Sequence, residues 1–135
     1  ARCDLTNTQV LNLHLQTGAV TCISAPGANE FIDVIGGQIL FDYTAAYTVG
    51  GSDDIIGYYG TRATGSVATG SIETTGVLDG AADQVAFFAG AVAGTEPTIN
   101  GAVAVQNTSG VAFGGGNASN EVSFVWMYRV QETGF

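Results

Sequence analysis

The sequence contains no lysine. Its only basic residues are Arg2, Arg62 and Arg129, set against 12 acidic residues, and the net charge over 135 residues is −9. Nucleic-acid binding draws most of its affinity from Lys and Arg displacing counterions along the phosphate backbone, so the chemistry of direct DNA or RNA contact is missing. Anionic membrane surfaces recruit basic clusters and are disfavoured for the same reason. Every apolar run is interrupted by Gly, Asp, Thr or Asn well short of the roughly 18 residues that a spanning helix needs. A surface this acidic suits high solubility and a basic or neutral partner.

Reactive side chains are equally scarce. Nucleophilic catalysis needs Ser or Cys beside a base, and the sole histidine, His14, alternates with leucines in QVLNLHL at 9–15, the position of an outward strand residue. A Cys22–His14 dyad has nothing in its spacing to favour it. Zinc sites take three or four Cys or His ligands, and the chain holds three such residues in all. For calcium, Asp53 and Asp54 follow a GGS turn, but no spaced ligand loop continues from them, and an acidic turn is the plainer reading. The run Gly114–Gly116 has neither the lysine nor the following helix of a phosphate loop. The expectation is therefore a protein without catalytic residues, cofactor or metal, and not an enzyme. The start does not resemble a signal peptide, and Ala1 is read as following an excised initiator Met, the simpler option, although a mature secreted chain could also begin there. Cys3 and Cys22 are then expected to be free thiols, as in chains made in a reducing cytosol.

What is abundant is strand-forming sequence. Hydrophobic residues make up 46% and charged residues 11%, so the chain has ample material for a core. Twenty glycines divide it into short runs rich in β-branched and aromatic residues. Candidate strands lie at 9–15, 19–23 (its hairpin partner across Thr17–Gly18), 31–43, 46–49, 55–59, 85–89, 102–106 and 121–130, with Gly36–Gly37 marking a bulge or bend. Helix is confined to about one turn near 77–84. The fold class is all-β: a two-sheet antiparallel sandwich, jelly-roll-like, of about eight strands with minimal helix. The first nine residues, with Leu5 as their one large apolar side chain, read as an N-terminal arm that could add to a neighbour, and 10–135 as a single sandwich domain.

Adjacent aromatics point to assembly. In Tyr58–Tyr59 and Phe87–Phe88 the two-residue strand period sends one ring to each face, so at least one ring of each pair is an interface candidate, together with Leu5 on the arm.

The order of segments resembles a known family. An amphipathic opening, APG at 25–27, a long apolar strand ending FDY at 41–43, AYTVGG at 46–51, IIGYYG at 55–60, ADQVAFF at 82–88 and a closing strand ending YRV at 128–130 are similar to small proteins encoded beside major capsid proteins of tailed phages. Several of these are capsid decoration, or cement, proteins. The resemblance implies a β-rich protein on the capsid exterior of the virion, made in the host cytoplasm. It would act often as a homotrimer, clamp neighbouring major capsid protein subunits and catalyse no reaction. A jelly roll also suits the other reading weighed for this composition, a carbohydrate-binding module of a phage tail or fibre.

Overall fold

The two longest stretches of strand sequence, β3 (Glu30–Asp42) and β10 (Glu121–Glu132), pair antiparallel along their whole length and form the spine of the molecule. The computed structural model describes residues 1–50, 54–91 and 95–134. The remaining elements are β1 (Arg2–Leu5), α1 (Asn7–Asn12), a 3-10 turn (Gln16–Gly18), β2 (Val20–Ile23), β4 (Tyr47–Thr48), β5 (Ile55–Tyr59), β6 (Ser66–Val67), β7 (Gln84–Ala89), β8 (Val103–Asn107) and β9 (Gly114–Gly115).

All strand pairs are antiparallel, in a front sheet ordered β1-β10-β3-β7, a back sheet ordered β2-β8-β5-β6 and a small β4–β9 pair. With β4 and β9 set aside, eight strands remain. Counted along the chain they run 1-8-3-6 in front and 2-7-4-5 behind, the winding of an eight-stranded jelly roll. The expected fold class is the observed one.

Period-two alternation fills the space between the sheets. Ile32, Val34, Ile39 and Phe41 of β3 and Val122, Phe124 and Trp126 of β10 meet Ile55, Tyr59, Val103 and Val105 from behind, all buried. Phe88, Phe124 and Trp126 form a cluster with centroids 5.0–6.4 Å apart, Phe88 meeting the other two rings edge to face. The paired glycines behave as their sequence suggests. Met127 opposes Gly36 while Tyr128 opposes Val34, so Ile35 is the extra residue of a bulge. Gly36, at φ 154°, takes the backbone angle that the bulge requires. The Phe88 ring occupies the space over Gly37 that a side chain there would need.

The opening of the chain departs from expectation. Residues 9–15 are not a strand: α1 begins at Thr6, whose hydroxyl accepts from the Gln9 N–H while the Gln9 side chain accepts from the Thr6 N–H. This reciprocal cap satisfies two donors at the helix start. It selects helical spacing, so that Val10 and Leu13 are fully buried and Leu15 is exposed. β2 consequently pairs with β8 rather than with a hairpin neighbour. The single turn expected at 77–84 lies earlier, closed by the Leu78 N–H on the Thr74 carbonyl at 2.8 Å.

Nor do residues 1–9 form a free arm. Arg2–Leu5 pairs with Val122–Val125 as an integral edge strand, and Leu5 is buried in the core. The cysteines are not free thiols: Cys3 of β1 and Cys22 of β2 are joined in a disulfide with Cα atoms 5.1 Å apart. Register brings the two edge strands within bonding distance, which the composition could not reveal. The bridge closes one seam of the sandwich. At the opposite seam the Gly70 N–H donates to the Ala89 carbonyl and the Ala91 N–H to the Ala68 carbonyl, each at 3.1 Å.

Cross-linking residues 19 apart restricts the unfolded chain by about 3 kcal/mol. Replacing Cys3 and Cys22 together by Ser should lower the melting temperature by roughly 10 °C and leave the far-ultraviolet circular dichroism of the folded state unchanged. An unaltered melting temperature in calorimetry would assign that seam to backbone pairing alone.

Candidate functional site

The two sheets present different outer faces. Behind, Gln106 of β8 points outward yet is buried, because its amide donates to the Leu15 carbonyl at 2.5 Å and its oxygen accepts the Arg62 N–H at 2.8 Å. The Arg62 guanidinium donates to the carbonyls of His14, Asn107 and Ser109, tying the segment after α1 to the loop after β8. The chain thus covers its own back sheet.

Among the described residues the front sheet has no such cover. Register lines up three outward rows across β7, β3 and β10: Val85–Leu40–Ser123, Phe87–Gln38–Val125 and Ala89–Gly36–Met127. The bulge turns Ile35 to the same side. Phe87 is 78% exposed, Met127 60%, Val85 59% and Ile35 47%, so four of the eight exposed large apolar residues among the described residues share one face. An antiparallel sheet normally turns polar residues to water here. A shallow groove lined by Gly37, Gln38, Phe87, Val125 and Met127 runs through the middle.

Charges flank this apolar centre and are paired. At one end Arg2 bridges Asp4 and Glu121, both at 2.6 Å, and donates to the Ser123 hydroxyl at 2.9 Å. The Ser123 hydroxyl and then the Arg2 guanidinium hold the Asp4 carboxyl below its ordinary pKa. At the other end Arg129 meets Asp33 at 2.5 Å, with Gln131 on the same carboxylate. An apolar centre within a polar rim is the anatomy of a protein interface.

Of the interface candidates read from the sequence, only Phe87 lies on this surface. Phe88 alternates inward as the strand period requires, onto Gly37 and Trp126. Leu5 is core because β1 belongs to the sheet. Tyr59 faces inward and donates its hydroxyl to the Ile32 carbonyl at 2.5 Å. Tyr58 does face outward, but from the covered back sheet, and is buried there. Ile35, Val85 and Met127 were missed. Their signal was present: β10 is apolar in both parities, with Val125 and Met127 on the side opposite Val122, Phe124 and Trp126.

The residues weighed for chemistry do not converge. The His14 Nδ1 lies 2.9 Å from the Leu11 carbonyl, and Cys22 is held in the disulfide. Asp53 lies outside the described residues. Asp54 accepts a hydrogen bond from the Ser71 hydroxyl. Among the described residues no three His, Cys, Asp or Glu side chains gather as a metal site, and no helix is long and apolar enough to cross a membrane.

Burial raises the pKa of Tyr47, Tyr58 and Tyr59 above the ordinary value near 10. Above about pH 10 the unfolded chain therefore holds fewer protons than the folded one, and stability falls as pH rises. An absorbance titration at alkaline pH should leave part of the tyrosine signal un-ionised until the protein unfolds. Smooth ionisation of all five tyrosines in the folded state would contradict the burial of Tyr47, Tyr58 and Tyr59.

Compared with protein-family models, with curated proteins and with solved structures, the chain matches none.

Proposed function

We propose that this chain is a structural decoration, or cement, protein that lays its front sheet on the outer surface of a tailed-phage head and clamps neighbouring subunits of the major capsid protein. The observation that carries this reading is the asymmetry of the sandwich. The back sheet is covered by the chain's own segments, whereas the front sheet leaves Ile35, Val85, Phe87 and Met127 in water, rimmed by paired charges.

Three further features support it. A clamp must resist deformation, and a jelly roll joined at both seams resists sliding of one sheet over the other. A net charge of −9 suits a neutral or basic shell exterior and repels the packaged genome. The order of segments resembles capsid decoration proteins, on whose heads one modest contact is multiplied by symmetry. The face itself is flat and open, suited to adhesion over an area of about 800 Å² per partner rather than to enclosing a small molecule.

Co-sedimentation with phage heads stripped of their decoration protein tests this. The protein should pellet with the heads, and Met127→Asp should weaken binding at least ~10-fold, a loss of about 1.4 kcal/mol. Because Met127 is 60% exposed, its melting temperature should move by no more than about 2 °C. Failure to pellet, or equal binding by the variant, would overturn the assignment; a strong glycan-array signal would transfer it to carbohydrate recognition.

A further inference from the structure

We infer that the open edge of β7 is a self-association site, and that its occupant is the β7 strand of a second copy of this chain. The other sheet edges are shorter, with four residues each in β1 and β2 against six in β7. β1 and β2 are joined to each other through Cys3–Cys22, and β6 is two residues long. The end of β7 itself is tied to the back sheet by the Thr69–Gly90 bridge. Along Gln84–Phe88, among the described residues, no strand pairs with the side of β7 that faces away from β3.

An uncovered edge offers a row of backbone donors and acceptors to any extended chain, and soluble proteins usually blunt such an edge with lysine, proline or a bulge. β7 reads QVAFFA and has none of these. The acidic residue that precedes it in sequence, Asp83, is turned back to accept the Tyr43 N–H at 2.9 Å, and Asp42 and Glu121 lie beside its first residues only.

Self-complementarity selects the occupant, and charge decides where it can approach. Two copies that each carry −9 repel at most approaches. β7 offers six consecutive uncharged residues, on the face where two of the three arginines are already paired with carboxylates. The strip is also complementary to itself. Antiparallel pairing centred on Ala86 sets the Val85 of each copy opposite the Phe87 of the other on the same face, a cross-strand apolar pair made twice. The contact is isologous and closes at two copies, in contrast to the threefold assembly that the family resemblance implies. The front sheet would then run unbroken across eight strands.

Sedimentation velocity on the free protein tests the inference without any capsid. A monomer–dimer equilibrium is expected between about 1 and 500 µM, the range of a small interface. Phe87→Asp and, as a second variant, Val85→Lys should each weaken dimerisation at least ~10-fold. Met127→Asp, two strands away, should leave it unchanged. Raising salt from about 20 to 500 mM should tighten the dimer at least ~10-fold by screening the repulsion. A monomer throughout, a trimer, a Phe87→Asp protein that dimerises normally, or a dimer that salt weakens would each overturn it. None of these results depends on whether the chain binds a head, so the two readings fail separately.

Discussion

A sandwich keeps water out of its interior only if both seams between its sheets are shut, and that closure governs this molecule. One seam is a sulfur bridge between the first two strands. The other is a short run of backbone hydrogen bonds around Thr69, whose buried hydroxyl also accepts the Gly57 N–H at 2.8 Å. Between them lies an interior tight enough that the Trp126 ring reaches the space beside Gly57 and Phe88 fills the space over Gly37. With the seams shut, the polar and apolar remainders of the sequence are forced onto the two outer faces.

Those faces are treated differently. The back takes the segment after α1 and the loop after β8, with Arg62 as the pin: its guanidinium meets three backbone carbonyls where a carboxylate would ordinarily be expected. Charge-assisted bonds of this kind are stronger than neutral ones, and they hold irregular chain against the sheet. Among the described residues nothing covers the front, although its central rows are apolar. That difference between the faces is the observation on which the proposed adhesive role rests.

Much of the fold was legible because β-strands announce themselves by alternation. β3, β5, β7, β8 and β10 lie close to where their sequence places them, and the Gly36–Gly37 pair marks the bulge. The opening was misread because QVLNLHL alternates like a strand while its apolar residues also satisfy helical spacing. The deciding signal was upstream, in the Thr6-to-Gln9 cap. Cys3–Cys22 was illegible in kind: pairing of cysteines depends on which edges meet, and that is decided by strand order. The surface was half legible. Alternation correctly split Phe87 from Phe88, but it cannot tell which outer face the rest of the chain will cover, and so Tyr58 was misjudged and Met127 overlooked.

The long β3–β10 ladder has a mechanical consequence. β7 accompanies it only from Gly36 onward and β1 only as far as Val125, so the stretch pairing Glu30–Val34 with Tyr128–Glu132 continues as a two-stranded ribbon whose Ile32 and Val34 still pack into the core. Tension that pries this ribbon apart would rupture its rungs one after another, whereas tension along the strands must shear many at once. An attachment gripping the broad body rather than the ribbon would therefore load the molecule in its tougher direction.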